Sequence, residues 1–166
     1  MRKFKTIYAI MLSSLMVSIA ILLFTYIKIK PTNNQNFVFK CSSDVVYDVV
    51  YNEETYTLDA LYILVLNNSK QGFLHISGVV RQGKIKNDID RVYYFDYMES
   101  KEINMYTVNL KSEKIRHYDS VDSDFFHAYF LPDKPGSQLY VEATEIANNT
   151  YYFKGASYPF FICTSN

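Results

Sequence analysis

The clearest structural signal in this chain is the segment RVYYFDYME, residues 91–99. In an extended backbone, successive side chains point to opposite faces. One face would carry Arg91, Tyr93, Phe95 and Tyr97, and the other Val92, Tyr94, Asp96 and Met98. Aromatic and β-branched residues in this alternation are typical of a β-strand. The segment therefore predicts a strand and points to a β-rich fold.

Similar segments lie on both sides of it: FVFKCSSDVVYDVVYN, TYTLDALYILVLNN, FLHISGVVRQGK, INMYTVNLKSEKIRHY, SQLYVEATEIANN, TYYFKG and YPFFICT. The apolar run from Leu61 to Leu66 fits a central strand, and a helix remains an alternative there because short apolar runs have no decisive period. Further along, Ile103, Met105 and Thr107 alternate with polar neighbours, which predicts a half-exposed strand with these residues on one face.

One short helix interrupts the strand pattern. The segment DSVDSDFFHAYFLPDKPG begins with helix-capping residue types and ends in a proline-rich turn. It predicts a helix from about Asp124 to Phe130 with Ser123 as the N-cap. With six to eight short strands at hairpin spacing, the predicted fold is mainly β (α+β). We expect one antiparallel β sandwich or small barrel-like domain with one short helix.

The N-terminus predicts a membrane anchor. Three basic residues precede the uncharged apolar run Ile7–Ile27, whose 21 residues would span about 30 Å as a helix. No small-residue cleavage site follows, which favours an uncleaved signal anchor. Basic residues are in excess before the run, which places the N-terminus in the cytoplasm. We expect a cytoplasmic tail (1–6), one transmembrane helix (7–27), a linker (28–36) and a periplasmic β-rich domain (37–166) of a bacterial inner-membrane protein.

The charge of the predicted domain argues against one class of partner. Residues 37–166 hold all seventeen acidic residues and twelve of the seventeen basic ones, a formal charge of −5. Proteins that bind phosphate backbones need clustered Lys and Arg. We therefore expect no direct contact with nucleic acid.

The only two cysteines, Cys41 and Cys163, lie near the two ends of this domain. Disulfides form and persist in the periplasm. A bridge closing a loop of this length would stabilise the fold by roughly 4–5 kcal/mol in the chain-entropy treatment. We predict a structural disulfide between them, the alternative being two unpaired buried thiols.

No enzyme motif stands out in the sequence, and we predict no catalytic residues, no bound metal and no cofactor. Asp119, Asp122 and Asp124 lie near His117 and His127, but acidic residues at a helix start are usually caps and solvated charges. The sixteen Tyr and twelve Phe have two interpretations, an aromatic-lined binding cavity or an ordinary β-rich core. The ordinary core is favoured because strands are rich in these residues anyway.

The three histidines are candidate pH-responsive residues: His75, His117 and His127. An imidazole titrates near pH 6.5, so a histidine in an acidic domain is suited to report acidification of its compartment. The ordinary interpretation is a surface or strand histidine without such a role.

The basic start, the single apolar run, the polar linker and the segments GFLHISGVV, RVYYFDY and YPFFIC resemble the FidL-like inner-membrane proteins of enteric bacteria. Within that group the pattern is similar to the PsaF/MyfF-type companions of fimbrial operons. The resemblance implies a non-enzymatic protein that associates with a membrane-anchored winged-helix transcription activator. The periplasmic domain would make the main contact and the transmembrane helix a second one. The resemblance further implies that the companion stabilises or modulates this activator of fimbrial and virulence genes in response to pH, temperature or an amphipathic molecule.

Two alternatives stay open beside this regulatory role. One is a periplasmic ligand-binding module that holds a small amphipathic molecule. The other is a membrane-tethered assembly factor for fimbriae or secretion. In all three the lipid bilayer is a partner through the predicted anchor.

Overall fold

The computed structural model of the chain describes residues 37–130, 133–156 and 158–165, together with Met16 and Ser18. The chain separates into two compact units, residues 1–34 and 35–166. In the first unit the two described residues are helical. Among the described residues, no helix has the length and hydropathy needed to cross a bilayer. The predicted span Ile7–Ile27 lies, apart from those two residues, outside the described part of the chain.

The described residues of the second unit form eight strands and one helix. The strands are β1 (Phe37–Tyr51), β2 (Glu54–Asn67), β3 (Gln71–Gln82), β4 (Ile85–Glu99), β5 (Met105–Ile115), β6 (Gln138–Ala147), β7 (Thr150–Lys154) and β8 (Pro159–Ser165), and the helix is α1 (Ser123–Tyr129). The mainly β fold with one short helix is therefore confirmed. The run Leu61–Leu66 lies inside β2, so the alternative of a helix there is wrong.

All eight strands form one closed antiparallel barrel, in which each strand pairs with its neighbours in sequence. Short turns join consecutive strands except β5 and β6, which are linked by residues 116–137 with α1. Between β1 and β2, Asn52 and Glu53 both have positive φ, 50° and 67°, which matches the twist of a two-residue hairpin turn. Of the two predicted architectures, the structure has the barrel and not the sandwich, because β1 and β8 meet and close the sheet.

Among the described residues, the seam between β1 and β8 is the shortest pairing of the barrel. Two residues of β1, Cys41 and Ser42, are in register with β8, opposite Ser165 and Thr164. The disulfide Cys41–Cys163 joins the two strands at this point, with 5.6 Å between the Cα atoms. It connects positions 122 residues apart and forms part of the buried core. The predicted disulfide is present, and it closes the barrel where main-chain pairing is sparse.

Alternation divides a strand into two faces, and the structure shows which of them is inward. On β4 the face with Arg91, Tyr93 and Phe95 is the buried, inward one. On β5 the predicted face was wrong: Tyr106, Val108 and Leu110 point inward, while Ile103 is exposed and precedes the strand. Because both faces of β5 carry apolar residues, alternation alone does not identify the inner one.

Helix α1 covers the end of the barrel at which the β1–β2 and β3–β4 hairpins turn. Phe125 packs there against Tyr51 and Tyr56, with ring centroids 5.7 and 4.7 Å apart. The N-cap is Asp122, whose carboxylate accepts a hydrogen bond from the Phe125 backbone N–H, and not the predicted Ser123. Ser123 is instead the first residue of the helix, and its hydroxyl accepts a hydrogen bond from Arg91.

Candidate functional site

The interior of the barrel contains a cavity of about 870 Å³. Inward residues from all eight described strands line it. The buried ones on the strands are Tyr62, Leu64, Leu74, Tyr93, Phe95, Tyr97, Leu110 and Phe153, and the partly buried Phe39 packs beside them. Domain interiors normally pack as densely as organic crystals. A void of this size inside a closed sheet is therefore a feature of the fold that needs an explanation.

The cavity wall is aromatic. Phe39 and Tyr151 pack edge to face with centroids 4.8 Å apart, and Phe153 stacks on Phe161 at 5.2 Å. Burial raises the pKa of the Tyr62 hydroxyl, so this group is neutral at physiological pH. The aromatic-lined cavity is present, although an ordinary β core was the favoured interpretation of the Tyr and Phe content. Composition could not separate the two because both use Tyr and Phe on inward strand faces.

Polar groups lie at one end of the cavity, where the β2–β3, β4–β5 and β6–β7 hairpins turn. The charged residues among the described lining are Lys70, Glu99 and Glu145. Lys70 and Glu99 form an exposed ion pair. The hydrogen bond from Lys70 lowers the pKa of Glu99 and raises that of Lys70. The cavity therefore has an apolar body and a charged mouth.

The opposite end is filled by α1 and by a buried ionic cluster centred on Arg91, which has no solvent exposure. Its guanidinium donates to both carboxylate oxygens of Asp119, at 2.8 and 3.0 Å, and to the carbonyl oxygen of Val121. It also lies 4.8 Å from the ring centroid of Phe126. Burial acts to lower the pKa of Arg91, but the hydrogen bonds to Asp119 and the charge of its carboxylate raise this pKa above its ordinary value. The cation is thus held at this end of the barrel.

Glu113 connects the cluster to the helix and to the cavity. It accepts hydrogen bonds from Arg91 at 3.2 Å and from the Tyr93 hydroxyl at 2.5 Å, and it lies 3.1 Å from His127 Nε2. Burial, then the bond to Glu113, raises the pKa of Tyr93. Tyr93 also lines the cavity, so one side chain separates the apolar space from the charges beneath it. Among the described residues, every buried side-chain nitrogen and oxygen has a hydrogen-bond partner.

The three candidate histidines lie in three different environments. His127 is buried against Glu113, His75 is half-buried 3.0 Å from Asp90, and His117 is exposed beside Tyr118. At Asp90, burial acts to raise the carboxyl pKa, but the hydrogen bonds from Tyr118 and His75 lower it below its ordinary value. The structure therefore does not bring the histidines together.

The acidic residues near α1 also separate. Asp119 is buried on Arg91, Asp122 caps the helix, and Asp124 pairs with Lys134 at the surface. In the described part of the chain, no three His, Cys, Asp or Glu side chains are grouped as metal ligands would be. Sequence reasoning missed the Arg91–Glu113 contact. The available signal was a charged residue on the otherwise aromatic inward face of β4.

A family model described as FidL-like putative membrane protein matches residues 78–163, from the end of β3 to Cys163. The match covers β4, α1 and the strands that follow, and so includes Arg91 and much of the cavity wall. None of the curated proteins compared with the chain matches it.

Proposed function

The chain belongs to the FidL-like family of putative membrane proteins, and on that premise we propose that its barrel binds an apolar or amphipathic small molecule in the central cavity. The hollow interior carries this proposal. Eight-stranded barrels either fill their interior with side chains or hold one small ligand. Here the wall is apolar and the volume falls within the range of about 300–1,000 Å³ that is usual for ligand pockets.

The polarity of the cavity supports an amphipathic ligand over a fully polar one. The deep wall consists of Phe, Tyr, Leu and Val side chains, whereas Lys70, Glu99 and Glu145 lie at the mouth. Placing the apolar part of a ligand against this wall would remove it from water, at about 25 cal/mol per Å² of apolar surface. Its polar part would stay at the mouth, in contact with solvent.

The test is binding of an uncharged, environment-sensitive naphthylamine probe to the full-length protein in nanodiscs, with the signal of protein-free nanodiscs subtracted. Ala143→Phe places a ring in the cavity and should weaken probe binding by about tenfold, the equivalent of about 1.4 kcal/mol of steric conflict. Ala147→Phe adds the same ring at an exposed position of the same strand and should bind as the native protein does. Failure of the native protein to bind the probe would overturn the proposal.

A second function, that of a regulatory companion, is favoured by the free edge of β1. Within the described residues, Ser43–Tyr51 have no register partner in β8. Tyr47 lines the cavity yet is 47% exposed, and the outward Val46 and Val50 are 70% and 71% exposed. An unpaired edge beside apolar side chains is suited to accept a strand from another chain.

In this role the chain is a single-pass protein of a bacterial inner membrane, with its N-terminus in the cytoplasm and its barrel in the periplasm. The barrel stabilises or modulates a membrane-anchored winged-helix activator of fimbrial and virulence genes. Sharing one membrane raises the effective concentration of the two proteins. A ligand that binds only the folded barrel would add to its stability, and this couples the cavity to the partner.

Affinity purification of the tagged full-length chain from its native membranes tests this role. We expect the captured protein to have one membrane span and a DNA-binding domain. Val46→Lys combined with Val50→Lys should reduce its recovery, while Ile115→Lys, which places a lysine at an exposed apolar position on β5, should not. Equal recovery with all variants would contradict docking at β1. Capture of fimbrial or secretion components would favour the assembly role.

A further inference from the structure

Among the described residues at the mouth of the cavity are two pairs of a carboxylate and a tyrosine, Glu99 with Tyr97 and Glu145 with Tyr151, and a lysine of the chain contacts the first pair. In the first pair, Lys70 Nζ lies 5.6 Å from the ring centroid of Tyr97 while it contacts Glu99. The Tyr97 hydroxyl donates a hydrogen bond to the Asn67 carbonyl oxygen, which holds the ring in place. The mouth therefore binds an ammonium group of the chain itself through one carboxylate and one aromatic face.

The second pair consists of Glu145 and Tyr151, which lie directly opposite each other on β6 and β7. Both line the cavity, so their side chains are on the same, inward face. Opposite residues of antiparallel strands have Cβ atoms about 5 Å apart, close enough for both to contact one bound group. Tyr151 is packed edge to face on Phe39, which supports the ring from within the barrel.

Glu145 lacks the cation that its counterpart has. Among the described residues, no Lys, Arg or His nitrogen lies within 4 Å of its carboxylate, which accepts a hydrogen bond from the Asn149 backbone N–H at 3.2 Å. With Lys70 and Glu99 neutralising each other, the described cavity lining has a net charge of −1 at its mouth. The domain around it is also acidic, and this favours the approach of cations.

We propose that Glu145 and Tyr151 bind the ammonium headgroup of a cationic amphiphile whose apolar chain occupies the cavity. The proposal rests on the ligand-binding function above and specifies its ligand class. The carboxylate supplies charge attraction and the tyrosine a cation–π contact, as Glu99 and Tyr97 do for Lys70. An anionic headgroup of the same size would instead lie against an unneutralised carboxylate.

The experiment compares three competitors with the same decyl chain against the naphthylamine probe on the full-length protein in zwitterionic nanodiscs. They are decyltrimethylammonium, decanol and decyl sulfonate, each corrected with protein-free nanodiscs. We expect the native protein to prefer the ammonium over the sulfonate by about fivefold to tenfold, from one partly exposed ion pair and one cation–π contact. Glu145→Gln should reduce this preference to about twofold or less and leave the affinity for decanol unchanged.

Glu142→Gln is the matched control. Glu142 lies three residues away on the same strand, points to the outside and pairs with Lys154, so its removal should leave the ammonium preference intact. The headgroup assignment would be overturned if the sulfonate bound as tightly as the ammonium or more tightly, or if the ammonium preference survived Glu145→Gln. In either case, binding of the probe and of decanol would still support the cavity as the ligand site. Loss of probe and decanol binding in the native protein would overturn both.

Discussion

The two ends of the barrel interior differ in what fills them, although one strand contributes to both. Arg91 and Tyr97 lie on the same inward face of β4. Around Arg91, the helix and residues 119–123 supply partners for the buried charge. Around Tyr97, the same wall encloses an open cavity. The difference comes from the neighbours and not from the strand: the covered end is completed by the chain itself, and the hollow end leaves room for another molecule.

If the covered end is structural, removing its central charge should have the largest effect. Arg91→Met should lower the free energy of unfolding by about 3–5 kcal/mol, because Asp119 and Glu113 would remain buried without their cation. Urea unfolding of the full chain in micelles, followed by circular dichroism, measures this. Arg81→Met breaks an exposed pair with Asp59 and should cost less than about 1 kcal/mol. Equal losses would mean that the buried cluster contributes no more than a surface ion pair.

The disulfide should matter nearly as much, because it joins β1 to β8 where, within the part of the chain that the structure describes, two residues of β1 are in register. Replacing Cys41 and Cys163 together by Ser should lower the free energy of unfolding by about 2–4 kcal/mol. Treating the native protein with a reductant should produce the same loss, and the double variant should not respond to it. A native protein whose stability is insensitive to full reduction would contradict this role of the seam.

A matched pair of leucines on β2 compares the packing of the two ends directly. Leu58 is 1% exposed in the packed core, whereas Leu66 is half-buried and lines the cavity. Leu58→Ala should cost about 3 kcal/mol and Leu66→Ala about 1 kcal/mol, because only the first opens a new void in a packed region. Similar losses at the two positions would show that side chains fill the cavity in solution, and that the two ends of the barrel do not differ in packing.

A smaller and pH-dependent effect on stability should come from Asp90, which lies on the outward side of the covered end. The folded-state pKa of Asp90 lies below its ordinary value of 3.8, so the stability it contributes is present above about pH 4. This contribution is lost as pH falls through the folded pKa. Asp90→Asn should cost about 1.5–3 kcal/mol near neutral pH, and the difference from the native protein should shrink in acid.

Asp96→Asn controls for the loss of a carboxylate, because Asp96 is partly exposed beside Lys111 and should contribute less than about 1 kcal/mol. An Asp90→Asn penalty that stays constant from neutral to strongly acid pH would contradict the assignment. It would mean that the hydrogen bonds from His75 and Tyr118 do not favour the ionised carboxylate.

Local pattern predicted some parts of the candidate site and missed others. Alternation separated the two faces of β4, but each carries polar and aromatic residues, so only the structure identifies the face with Arg91, Tyr93 and Phe95 as the inward one. The N-cap was misplaced by one residue because Asp122 and Ser123 are both good caps, and Arg91 takes the Ser123 hydroxyl. The partnership of Arg91 with Glu113 and Asp119 joins residues 22 and 28 positions apart, and only the barrel register brings them together.

The sequence by itself determined the strand segments, their antiparallel arrangement and the pairing of the two cysteines, whereas the strand order came from the structure. The first three follow from period-two alternation, from turn residues and from there being only two thiols, all of which can be read along the chain. Tertiary structure decided that the sheet closes, which side of β5 faces inward and that a cavity remains. The volume inside a barrel depends on the number of strands, their register and the summed size of inward side chains from all of them. No single segment contains that information.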